Sequence, residues 1–169
     1  LDKHFLVVQD IDLSNTSRFN SIGRVQYPPG PFHGVFDGDG HTISNVTINA
    51  SGDGVGFFGA VEGGIIKNVH LDGVSINGET SIGVGGLVGV LGRGASILNC
   101  SVAGSVNGNS RVGGLVGYCH TNNAGKIDEC HSSADVRATH STAGGLIGRN
   151  GWSGFGAGVQ LITRCYATG

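Results

Sequence analysis

The sequence predicts an all-β fold: a right-handed, single-stranded parallel β-helix (β-solenoid) of about five to six coils with roughly 30 residues each. Three observations carry that prediction. A glycine-bounded tetrad recurs as Gly56-Phe57-Phe58-Gly59, Gly86-Leu87-Val88-Gly89, Gly114-Leu115-Val116-Gly117 and Gly145-Leu146-Ile147-Gly148, its second residue spaced by 30, 28 and 31. A second motif keeps step with it at Ile66-Lys67-Asn68-Val69, Ile97-Leu98-Asn99-Cys100, Ile127-Asp128-Glu129-Cys130 and Ile162-Thr163-Arg164-Cys165. The third is composition: 33 of the 169 residues are glycine, set at regular offsets among Val, Ile, Leu and Phe. Glycines so placed punctuate turns of an ordered chain, and no long stretch of helix formers with helical periodicity competes.

The elements follow in chain order. Phe5-Leu6-Val7-Val8 and Ile11-Asp12-Leu13 supply the first strands, and Pro28, Pro29 and Pro31 mark one loop. Phe36-Asp37-Gly38-Asp39-Gly40-His41-Thr42-Ile43 reads as strand, tight turn, strand. Ile43-Ser44-Asn45-Val46 reads as an earlier copy of the Ile-x-Asn-Val motif. Residues 84–108 give the pattern of one coil: an apolar strand from Val84 to Val90, a turn at Gly92-Arg93-Gly94, and a short Ile97-Leu98 strand ending at Asn99. An alternating Cys100-Ser101-Val102 strand then turns at Gly104 into Ser105-Val106. Three short strands per coil, each about 10–20 Å long, bury nothing alone; stacking at about 4.8 Å pairs the backbones and closes the core. Leu71, Val74, Leu87, Val102, Val106, Leu115, Val136 and Leu146 are expected inside, and His70, Ser101, His131 and Tyr166 outside. Residues 1–169 form a single β-helix domain with no linker.

Charge excludes some partners. Only 13% of the chain is charged and the net charge is -2, with no Lys/Arg run, so no nucleic-acid footprint is present. No apolar window is long enough for membrane insertion. The chain opens without an initiator Met or a secretory leader pattern, which predicts a mature product, or a fragment or subunit of a larger assembly.

The ordered set of motifs resembles bacterial surface proteins that carry the GLUG motif. The resemblance rests on Asp10-Ile11-Asp12-Leu13, Phe36 through Ile43, Val-Gly-Gly-Leu-Val-Gly at 84–89 and 112–117, and Cys165-Tyr166-Ala167-Thr168-Gly169. It divides the domain into divergent N-terminal coils (1–55) and GLUG-type repeats (56–169). It implies secreted or surface-anchored repeat regions, often in adhesins, with no catalytic residues inside the repeat. Glu129 and Arg164 stand where the motif has Asn, so an asparagine ladder is expected to stop after Asn45, Asn68 and Asn99.

Candidate chemistry is sparse. Asp37-Gly38-Asp39-Gly40 reads as a turn, because a calcium loop needs more oxygen ligands than it offers. Asp128-Glu129 is the only adjacent acidic pair, and neighbours on a strand face opposite ways, a poor geometry for a glycosidase pair. Asp10 and Asp12 share a face but match a turn motif. The seven histidines are scattered; His120 and His131 with Cys119 and Cys130 form the one cluster to consider as metal ligands. Catalytic, cofactor-binding and metal-binding residues are therefore each predicted as none, and no cofactor is implied. Cys100, Cys130 and Cys165 share one repeat position as an inward thiol column, with a disulfide, Cys119–Cys130 among the options, left open. The sequons at Asn15, Asn45, Asn49 and Asn99 read as incidental.

The last repeat is the longest, with its extra length at 149–156, so Trp152 and Phe155 are candidate contact residues together with the outward Tyr166. The expected function is a non-catalytic extracellular or cell-surface module in adhesion or surface structure. Its expected partners are a surface glycan or protein ligand, or further copies stacked end to end. The alternatives are a self-assembling subunit of an extracellular filament or sheath and a polysaccharide-active β-helix enzyme.

Overall fold

A computed structural model of the chain describes residues 2–17, 19–25, 29–120, 125–151 and 161–169. Among them every strand pairing is parallel and there is no helix, so none long and apolar enough to cross a membrane. The first sheet has six strands: His4–Leu6, Val35–Asp37, Ile65–Lys67, Ser96–Leu98, Lys126–Asp128 and Leu161–Thr163. They stack in chain order, so the chain crosses this face six times and completes five turns of a β-solenoid. One register runs through the whole face, from Phe5 through Phe36, Ile66, Ile97 and Ile127 to Ile162.

The third sheet holds the glycine-bounded tetrads, as Phe58–Val61, Val88–Leu91, Val116–Cys119 and Ile147–Asn150. Leu87 N–H donates to Leu115 C=O, and Leu115 N–H to Leu146 C=O, both as one coil sits on the next. Leu87 and Leu115 are wholly buried, and Leu146, nearer the C-terminal edge, is half-buried. The close approach at this corner requires glycine: a Cβ on Gly86 would lie 2.5 Å from the carbonyl oxygen of Gly114.

The second sheet departs from the expected three short strands. Its central members run unbroken as His70–Gly85, 16 residues, and Ser101–Gly113, 13 residues. Gly104 does not turn the chain out of the sheet. It sits at φ 134° beside a register shift, and the ladder continues to Gly113. A Cβ there would meet the Val74 carbonyl oxygen at 2.2 Å, so glycine lets the strand bend without leaving its neighbour.

Asn45 also falls elsewhere than its motif implies. Ile43 pairs with Leu71 on the second sheet, whereas the register partner of Ile66 is Phe36. Both corners use the same local device, a strand ended by a residue in the left-handed region and followed by an inward apolar side chain. Asn45 has φ 60° before buried Val46, and Asn68 has φ 54° before buried Val69. Local sequence therefore could not distinguish the two corners.

Of the inward set, Leu71, Val74, Leu87, Val102, Val106 and Leu115 are buried, while Val136 and Leu146 are half-buried against the same core. The N-terminal end of that core is aromatic. Phe32, Phe36, Phe57 and Phe58 are buried with ring centroids 5.2–6.1 Å apart in tilted and edge-to-face pairs. Phe19 stacks on Phe57 at 4.9 Å.

Candidate functional site

Polar side chains on the outside of the solenoid mostly bond from coil to coil. At the corner after the first sheet, Asn99 Nδ2 donates to Asn68 Oδ1 (2.9 Å), and Asn68 Nδ2 donates to Asp37 Oδ1 (2.9 Å). Asp37 also pairs with Lys67 Nζ at 2.8 Å and accepts from the Asp39 amide at 3.0 Å. The Lys67 and Asn68 hydrogen bonds hold its carboxyl down to about 2. Asp39 (φ 52°) and Gly40 (φ 79°) close the tight turn, with His41 N–H donating to Gly38 C=O. The Asp-Gly-Asp-Gly stretch is thus a turn whose first carboxylate is already bonded.

The amide ladder ends at Asn99, as expected from the residues that follow it in the motif. Glu129 and Arg164 occupy the next two corners at φ 54° and 52°, and Arg164 Nε donates to Glu129 Oε1 at 3.0 Å. An ion pair replaces the amide pair. Asn45 is not on this ladder; its Nδ2 donates to Asp12 Oδ1 at 2.8 Å at the other corner.

The remaining carboxylates considered for catalysis are similarly engaged. Asp10 accepts from the Thr42 amide and faces His41 Nδ1, and Asp12 accepts from Asn45 and Ser14. These hydrogen bonds, Thr42 foremost for Asp10 and Asn45 for Asp12, lower both carboxyl groups. Asp128 meets Lys126, Thr163 and Arg164 and is lowered, the Lys126 bond being the largest cause. These contacts, most of them to a neighbouring coil, tie each of the three carboxylates into the stack.

The outward set forms one register column, His70–Ser101–His131–Tyr166. His70 Nδ1 is 2.8 Å from Ser101 Oγ, and the rings of His131 and Tyr166 stack at 5.0 Å with 3° between planes. Tyr166 is 57% exposed, in the C-terminal part of the second sheet. Trp152 and Phe155 lie outside the described residues. Among the described residues, no three His, Cys, Asp or Glu side chains come together as a metal site.

Cys100, Cys130 and Cys165 stack at one corner, each thiol turned back on the carbonyl two residues earlier at 3.2, 3.1 and 3.0 Å. Each also reaches a carbonyl of the preceding coil, Ile66, Ile97 and Ile127 respectively. Cys119 lies apart on the third sheet, in register with Leu91 and Asn150. All four are free thiols. Burial pushes Cys119 up to about 12 and raises Cys100 and Cys165 as well.

A groove of about 810 Å³ lies beside the N-terminal coils, between loops 19–25 and 49–55 and the strand edge at 77–80. Sequence reasoning missed it because its walls belong to loops outside the repeat. It contains the one buried side-chain atom without a hydrogen-bond partner among the described residues, Asn77 Oδ1.

Residues 80–107 and 108–137 each match the family model described as the GLUG motif. Over 128 residues, 70% of the chain, it is 38% identical to Halomucin of Haloquadratum walsbyi and covers 1% of that protein. It is 31% identical over 163 residues to a protein of Evansella cellulosilytica described as a Gly-rich membrane protein, covering 73% of this chain and 18% of that one. The chain therefore spans a small part of the curated relatives it matches. No solved structure matches it.

Proposed function

We infer that this chain, a GLUG-motif repeat solenoid, serves as a non-catalytic module of a surface-associated protein, working in adhesion. The observation that carries the reading is the use of ionic side chains on the GLUG-repeat scaffold. Asp10, Asp12, Asp37 and Asp128 accept hydrogen bonds or ion pairs from neighbouring coils, so they act as rivets between coils. A hydrolytic pair instead needs two carboxyls held apart across a substrate cleft. The names of the relatives, one a mucin and one a membrane protein, support a surface location.

The test is to couple the protein to beads and expose them to immobilised cell-wall and mucin-type glycans while assaying the supernatant for new reducing ends. Retention without depolymerisation is the expected result. Release of oligosaccharides would replace this reading with an enzyme, and its loss in Asp12→Asn, Asp128→Asn, Asp53→Asn or Glu79→Gln would locate the carboxylates.

A further inference from the structure

We propose that the groove between loops 19–25 and 49–55 is a binding site for a neutral or N-acetylated polysaccharide chain, and that Asn77 is its central polar contact. The proposal rests on the surface-module reading and gives it a ligand class.

Asn77 Oδ1 is shielded from solvent and has no donor. Such an acceptor has given up its bond to water without a replacement, and buried amides nearly always find a partner. Asn77 lines the groove and is half-buried, so a turn of its carboxamide presents this acceptor to a ligand hydroxyl or amide N–H.

The surrounding chemistry narrows the ligand. Asn49 is in direct register with Asn77 on the next coil, so two amides sit about 4.8 Å apart along the axis. Asn20, Ser21, Ser51 and Thr80 bring further hydroxyl and amide groups into the walls. These groups both donate and accept, as a polyhydroxylated ligand requires. Among the described residues, Arg24 is the one basic residue lining the groove, against Asp53 and Glu79, so the described lining does not favour an acidic polymer. Phe19 also lines it, half-buried and held flat against Phe57 at 4.9 Å, and so offers a rigid ring for the apolar face of a sugar. The volume falls within the range of ligand clefts, and the in-register amide strip suits a ligand that is itself a repeating chain.

The test is NMR titration of the labelled chain with chitohexaose and with cellohexaose. Polygalacturonate serves as the acidic comparator and a Ser/Gly hexapeptide as the peptide comparator. Expected are shifts of the Asn77 and Asn20 side-chain amides and of Phe19 with at least one neutral hexasaccharide, and none with polygalacturonate or the peptide. Asn77→Ala should weaken binding at least tenfold. Asn20→Ala, on an exposed loop away from the core, should weaken it severalfold with an unchanged amide fingerprint, so a folding defect in the first variant leaves the test intact. No binding by either neutral sugar, preferential binding of the peptide or the acidic polymer, or full affinity in both variants would overturn the proposal. If the protein-coupled beads are still retained by the immobilised glycans when both variants bind normally, the groove assignment falls and the surface-module reading stands.

Discussion

Arg164 donates to Glu129 across 3.0 Å at the corner where, two coils earlier, Asn99 donates to Asn68 across 2.9 Å. All four residues adopt left-handed backbone, at φ between 50° and 54°. The corner thus keeps its backbone while exchanging an amide pair for an ion pair. Asn tolerates this region far better than a residue such as Glu or Arg.

That difference sets the first expectation. Asn99→Ala should destabilise the protein by about 1–2 kcal/mol, from the left-handed backbone and the lost amide bond. Glu129→Asn should leave stability equal or higher, since the Arg164–Glu129 pair is exposed and worth little while Arg164 keeps its bond to the buried Asp128. Urea midpoints of the variants check both; a Glu129→Asn variant clearly less stable than the parent would show the ion pair to be the stronger device.

Leu115 is wholly buried between Leu87 and Leu146. Leu115→Ala should cost about 2–5 kcal/mol, and Leu146→Ala, at a half-buried position, distinctly less. Equal losses at the two sites in denaturant titrations would contradict the burial gradient.

Phe58→Ala should cost about 3–5 kcal/mol, because it removes a fully buried ring from the aromatic cluster at the N-terminal end. Exchange of amide hydrogens read by mass spectrometry should show the loss spreading through the N-terminal coils first.

Acid should act through Asp37. Its folded carboxyl is held at about 2, below its usual 3.8, by Lys67 and Asn68. A lowered folded value means that the contribution is complete above the ordinary carboxylate range and is lost as pH falls through it toward about 2. The stability gap between the parent and Asp37→Asn should therefore be widest near neutral pH and close on acidification. A gap independent of pH would show that the carboxylate's charge contributes nothing.

Thiol reactivity should follow burial. With Cys119 pushed up to about 12, its thiolate is scarce at pH 8, and it should alkylate only on unfolding. Cys165, less enclosed, should label first under native conditions. Peptide mapping after a timed iodoacetamide pulse gives the order directly, and early modification of Cys119 would count against its buried placement.

The solenoid was legible because its signal repeats. Leu87, Leu115 and Leu146 could be aligned from spacing alone, and the same spacing brought Cys100, Cys130 and Cys165 to one corner. Asn45 was misplaced because two corners share one local turn, and only long-range pairing of Ile43 with Leu71 tells them apart. The aromatic cluster had an unused signal: Phe5, Phe19, Phe32, Phe36, Phe57 and Phe58 all precede Gly59, leaving one phenylalanine after it. The groove had none, since Asn20, Asn49 and Asn77 meet through non-repeating loops and strand register.

The parallel ladder in chain order also has a mechanical consequence. Backbone bonds between coils run along the stacking direction, so a pull on the two ends of the solenoid loads the seams in series. The weakest seam yields first while the others stay shut. Each coil of roughly 30 residues that unspools pays out about 100 Å of chain. Under tension such a module lengthens in steps, dissipating load that a rigid tether would pass straight to its attachment point.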